Sequence, residues 1–237
     1  VRDGNTVVVL TSDHGDMGLA AGLREKRAVA YEPAIRVPMV LHLPGTWWKD
    51  HLVAPEAYSI DVPTSHIDVF PTLLDLAGIG EKAQEYALPG LSLLRFIRRK
   101  RREFHGGLSS MVHRKTYVND DPGREEGDIL FTFDENLMDR PYFNVTGRII
   151  PHFIRCIRST SPEMKYSVYF DPNGTVFEYE LYDMVSDPEE RFNMAYNVAP
   201  NGVWTDMHLR LSSLMDKMGA MPVGFDWRNM STPRRWT

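Results

Sequence analysis

The chain has 237 residues, 43% of them apolar and 25% charged, a balance that supports a sizeable buried core and excludes disordered and fibrous classes. Its formal net charge of −5 argues against a general polyanion binder, so no nucleic-acid partner is expected, and no apolar run approaches the roughly 20 residues of a membrane span. The single cysteine, Cys156, excludes an internal disulfide framework and leaves the redox compartment open.

The chain opens at Val1 with no initiator Met, which reads as an internal start. Residues 6–12 are β-branched and continuously apolar, as in a strand buried on both faces of a parallel sheet. Residues 31–36 suit a one-turn helix with Glu32 and Arg36 paired at i and i+4, and 37–43 form a second strand that ends at Pro44-Gly45. Ile67, Phe70, Leu73, Leu74 and Ala77 then recur at helical spacing over 62–78, with a kink or restart expected near Pro71 and Gly78 placed as a C-cap. His66, near the start of that helix, reads as a hydrogen-bonded structural group.

Arg98, Arg99, Lys100, Arg101 and Arg102 follow an apolar stretch and read as a solvated, cationic helix end, where they complement the helix dipole. Residues 104–127 carry Gly106-Gly107 and Pro122-Gly123 and suit a linker or long loop. Beyond it, 128–134, 153–159, 164–170 and 177–182 are short, aromatic or β-branched strands, and Asp171-Pro172-Asn173-Gly174 is a turn between the last two. Trp204, Met207, Leu211, Leu214 and Met218 place one apolar helix face over that antiparallel sheet. The predicted organisation is an α/β core over residues 1–103, a connection over 104–127, and a small α+β subdomain with an antiparallel sheet over 128–237.

Chemistry concentrates where the first strand ends. Asp13 and His14 lie at that point, and Gly15 permits the sharp departure needed for both side chains to reach one ion. In open α/β sheets ligands gather beyond the carboxyl ends of strands. Taken alone, the triplet reads first as a capping Asp beside a structural His.

The longer pattern is more specific. Thr11-Ser12-Asp13-His14-Gly15-Asp16, then Gly22-Leu23-Arg24-Glu25-Lys26, Tyr31-Glu32 and Ile35-Arg36-Val37-Pro38, resembles the sulfatase family in order and spacing. Downstream, Ile67 to Gly78, Pro89-Gly90-Leu91-Ser92, Lys165-Tyr166 and Glu180-Leu181-Tyr182-Asp183 are similar to later segments of the same family. The resemblance implies an alkaline phosphatase-like α/β/α core and hydrolysis of sulfate monoesters, with a small-molecule or glycan sulfate ester as substrate. Asp13 and His14 match two ligands of a single divalent cation. Many members carry Asn at the second position, and the imidazole moves preference from calcium, still the first choice, toward manganese, with magnesium also possible.

Lys26 matches a lysine that contacts the sulfate group and stabilises its charge. The family's nucleophile is a formylglycine made within a Cys/Ser-x-Pro/Ala-x-Arg motif. Cys156-Ile157-Arg158-Ser159-Thr160 lacks that pattern, so nucleophile and further metal ligands are expected in an N-terminal half upstream of Val1, which would be this chain's partner; the chain alone is expected to be inactive. Two other readings compete: a phosphate or phosphonate ester hydrolase of the same superfamily, and a non-catalytic module that binds through residues 98–102. Sequons stand at Asn144, Asn173 and Asn229, and family resemblance favours a periplasmic or secreted location.

Overall fold

The computed structural model describes residues 6–26, 28–44, 59, 62–97, 128–134, 153–197 and 202–227. Strands β1 (Val8–Thr11) and β2 (Met39–His42) pair antiparallel, with Val8 opposite His42 and Leu10 opposite Val40. One face of this pair, carrying Val9, Met39 and Leu41, meets Val69, Thr72, Leu73 and Leu93. On the other face Leu10 is 61% and Val40 53% exposed. The expectation of a parallel strand buried on both faces is therefore corrected. A continuous apolar run states that both faces tolerate burial but not which way the neighbouring strand runs, and among the described residues only one face is covered.

Between the strands sits α1 (Glu32–Ile35), a single turn with Pro33 in its first turn. A 3-10 turn (His66–Asp68) leads into α2 (Val69–Leu76) without the expected kink. Pro71 is the third residue of α2, in the first turn, where backbone N–H groups have no helical acceptor and a missing donor costs nothing. The helix stops as anticipated: Gly78 has φ +77°, its N–H reaches Asp75 O at 3.2 Å, and Ile79 N–H reaches Leu74 O at 3.0 Å. A short α3 (Glu81–Glu85) follows.

Three side chains of this helical segment hold the next stretch. Asp68 accepts from Ser65 N–H at 3.0 Å and from Leu91 N–H at 2.9 Å, Thr72 Oγ1 accepts from Leu93 N–H at 2.8 Å, and Ser92 donates to Asp75 at 2.7 Å. Gly90 is required at this junction, because a Cβ there would lie 1.9 Å from Ile67 O. Spacing of i, i+4 and i+7 puts Asp68, Thr72 and Asp75 on one side of the helix, so two stretches of sequence become one packed unit.

The second sheet is a four-stranded antiparallel meander, β3 (Ile129–Asp134), β4 (Phe153–Arg158), β5 (Met164–Phe170) and β6 (Phe177–Asp183) in that order. Helix α4 (Val203–Met218) lays Trp204, Met207, Leu211, Leu214 and Met215 on one face of it, against Ile157, Tyr166, Val168 and Leu181. Strand alternation sends Cys156, Arg158, Lys165, Ser167, Tyr169 and Glu180 to the opposite face. That face matters for the site described below.

His208 lies between Trp204 and Trp227, with ring centroids 5.2 and 5.4 Å away and rings within 6° and 11° of parallel. Its Nδ1 is 3.1 Å from the Tyr166 hydroxyl. Burial pushes its pKa down to about 4. An unfolded chain takes up this proton near pH 6.5 and the folded one only near 4, so the stabilisation is complete above 6.5 and lost as pH falls between those values. The loss is at most about 3 kcal/mol, reduced by the attraction of the indole faces for an imidazolium. His208→Phe keeps the stack and should flatten the pH 4 to 6.5 limb of a denaturation profile; an unchanged limb assigns that loss to carboxylates instead.

Candidate functional site

At the end of β1 the chain turns away from the sheet through Ser12, Asp13 and His14. The Ser12 hydroxyl donates to His14 O at 2.7 Å, and His14 N–H donates to Asp13 Oδ1 at 2.9 Å. That backbone donation holds the Asp13 carboxyl below the usual carboxylate range. Asp13 Oδ2 is left facing His14 Nε2 at 3.3 Å. The other ring nitrogen, Nδ1, lies 2.7 Å from Gly15 O. A carbonyl only accepts, so Nδ1 carries the proton and Nε2 of a neutral ring presents a lone pair.

Two lone-pair carriers thus face one another from adjacent residues. The arrangement is favourable only with a proton or a cation shared between them. A separation of 3.3 Å is also the edge expected between neighbouring corners of an octahedral shell at about 2.3 to 2.4 Å from a calcium-sized ion. Both side chains reach solvent, with Asp13 83% and His14 42% exposed. Among the described residues no group of three or more His, Cys, Asp or Glu side chains converges.

The backbone beneath this pair rests directly on α1. Gly15 N–H donates to Ala34 O at 2.8 Å, and a Cβ on Gly15 would fall 1.9 Å from Pro33 O. The following loop folds back on itself: Met17 N–H bonds Glu25 O at 3.2 Å and Leu19 N–H bonds Leu23 O at 2.9 Å. This ladder returns the chain so that Lys26, exposed, follows directly on the residue paired with Met17. The loop is backbone-strained, with Leu19, Ala21 and Glu25 all at positive φ, a condition that concentrates at functional sites.

Residues 2–79 match the family model described as Sulfatase. The chain resembles sulfatases along most of its length. It is 26% identical over 223 residues to the uncharacterized sulfatase YidJ of Escherichia coli, covering 94% of this chain and 35% of that protein. It is 29% identical over 192 residues to the delta 4,5-hexuronate-2-O-sulfatase of Bacteroides thetaiotaomicron, covering 81% of this chain and 31% of that protein. The chain therefore spans about a third of the length of these sulfatases. A phosphonate monoester hydrolase structure from Agrobacterium radiobacter superposes with a TM-score of 0.58 at 21% identity, over 91% of this chain and 36% of that one. This places the fold in the alkaline phosphatase-like α/β class.

The residues singled out by sequence fall as follows. Asp13 and His14 face each other, and Lys26 stands on the adjoining loop. Cys156 is fully buried, and burial pushes its thiol up to about 12, which suits an inert core residue. His66 Nε2 lies 3.2 Å from Thr11 Oγ1, a hydrogen-bonding position beside the end of β1. Asn173 is exposed in its turn, whereas Asn144, Asn229 and the basic run 98–102 lie outside the described residues. Sequence reasoning missed the polar groups beneath α1. Glu32, expected to pair with Arg36, instead has Oε1 at 3.3 Å from Lys165 Nζ.

Proposed function

We propose that the full-length protein hydrolyses sulfate monoesters, with Asp13 and His14 as two ligands of one divalent cation and Lys26 as a contact to the sulfate group. The observation that carries the reading is the 3.3 Å approach of Asp13 Oδ2 to a His14 nitrogen whose lone pair is left exposed by the Gly15 hydrogen bond. Calcium is the first choice, with manganese and magnesium next, because one oxygen and one imidazole nitrogen are tolerated by each. When bound, the cation supplies charge stabilisation to the ester oxygens.

The chain's own residues divide the remaining work. Asp13 contributes a carboxylate already held ionised by the His14 N–H. Gly15 O fixes the imidazole tautomer. The Lys26 ammonium stabilises charge on the transferring group as the S–O bond breaks, an electrostatic role that requires no proton transfer. In this reading the formylglycine nucleophile and the other ligands lie N-terminal to Val1, the substrate is a small-molecule or glycan sulfate ester, and the protein works in a periplasm or outside the cell.

The test is turnover of an aryl sulfate beside the matching aryl phosphate and phosphonate esters by the full-length protein. Sulfate should be preferred, and Lys26→Ala should lower kcat by about a hundredfold with the cation still bound. Preference for phosphorus esters would make the protein a phosphate or phosphonate ester hydrolase of the same fold. No ester turnover, together with salt-sensitive heparin binding lost on replacing residues 98–102, would identify a non-catalytic module.

A further inference from the structure

The face of the second sheet turned away from α4 buries charge without being part of the Asp13–His14 site. Lys165, on β5, has a side chain only 1% exposed, and it forms an ion pair with Glu190, also 1% exposed. A second carboxylate, Glu32 Oε1, approaches the same ammonium at 3.3 Å and Arg158 Nε at 3.7 Å. Glu190 also accepts the Glu32 backbone N–H at 2.7 Å through Oε2. Buried charge of this kind is costly and rarely the best way to gain stability, since well-packed apolar groups of similar volume usually do as well or better. Its value lies in directionality.

What the cluster holds is α1, and it is reinforced from both sides. Glu190 is presented from a left-handed residue, φ +57°, in a turn closed by Glu190 N–H to Asp187 O at 3.1 Å. On the other side, Tyr31 donates to Glu180 Oε1 at 3.0 Å, Tyr169 donates to Glu180 Oε2 at 2.7 Å, and Ala30 N–H donates to the Tyr169 oxygen at 3.1 Å. Residues 30–32 are thereby tied to β5, β6 and the turn after β6. The next residues, Pro33 and Ala34, are the ones on which Gly15 rests.

We infer that Lys165, clamped between Glu32 and Glu190, is a positioning residue for the Asp13–His14 pair, transmitting the geometry of the C-terminal sheet through α1 to the backbone at Gly15. The inference rests on the metal reading proposed above. It differs from a role in stability alone, because it predicts that loss of the clamp is felt at the cation and not only in the melting temperature.

The experiment compares wild type, Lys165→Met, Glu190→Gln and Leu211→Ala in the full-length protein. Leu211 is fully buried on α4, packed against the far face of the same sheet, so its truncation lowers stability without touching the clamp. Calcium and manganese affinities of the metal-stripped proteins are measured by titration calorimetry, alongside melting temperature and kcat at saturating cation. Lys165→Met should weaken cation affinity at least tenfold, Glu190→Gln should do so more mildly because its amide oxygen still accepts the Glu32 N–H, and Leu211→Ala should leave affinity within twofold of wild type. Excess cation should restore part of kcat in the first two. If Lys165→Met does not fold, Glu190→Gln carries the comparison. Cation affinity unchanged in the clamp variants, or lowered equally in Leu211→Ala, overturns the positioning role. A wild type that binds neither cation overturns the metal assignment itself, a distinct failure.

Discussion

Asp13→Ala in the full-length protein is expected to abolish stoichiometric cation binding and ester turnover together. Affinity should fall by more than the ten- to hundredfold, roughly, that follows loss of an outer partner of a metal ligand, since here a charged ligand itself is removed. The carboxylate is mostly solvent-exposed and held ionised by the His14 N–H, so little free energy is spent on preparing it, and its deletion should leave the fold intact. Asp13→Asn provides the internal control: it keeps the acceptor for that N–H, loses the charge, and should fall between wild type and Ala. Metal analysis of the purified variants decides the matter. Retained stoichiometry in Asp13→Ala contradicts the assignment.

Gly15→Ala should be the most damaging single-methyl change in the same region. The added Cβ would lie 1.9 Å from Pro33 O and 3.0 Å from Pro33 C, both backbone atoms. Neither can retreat, because α1 is anchored by Glu32 and its neighbours to the C-terminal sheet. The loop must lift instead, breaking the Gly15 N–H bond to Ala34 O. A loss of about 2 to 4 kcal/mol is expected from overpacking plus the lost bond, with cation affinity falling in parallel. Gly18→Ala meets no atom within 4 Å and faces only its φ of +52°, so it should cost about 1 to 2 kcal/mol. Chemical denaturation of both variants makes the comparison; equal and small effects would place the loop off α1.

Much of the secondary structure was legible because its signals are local. Helix α4 spans Val203–Met218, where the apolar positions recur at helical spacing, and Gly78 caps α2 where a glycine past the last periodic residue predicts it. Pro71 misled in detail: a proline within a periodic run reads as a kink unless the helix start is known, and the Ser65–Asp68 capping box that sets the start hides behind a 3-10 turn. Strand direction and exposure of β1 were illegible because they depend on neighbours rather than on the run itself. Within the site, Asp13, His14 and Gly15 announce themselves by adjacency. Lys165, Glu32, Glu180 and Glu190 do not, since each reads as an ordinary surface charge until strand alternation and a distant turn bring them together.

The distance along the chain between these groups sets a schedule for the site. Glu32 meets Lys165 and Glu190 across 133 and 158 residues, contacts that pay a large loop-closure entropy before they return any stability. At ribosomal speeds of about 5 to 20 residues per second, the Asp13 loop emerges about 8 to 35 seconds before the groups that steady α1 beneath it. If Asp13 and His14 hold an ion as proposed, that competence is acquired only after β6 and the turn behind it are synthesised, and a nascent chain passes through a period in which its chemistry is encoded but not yet armed.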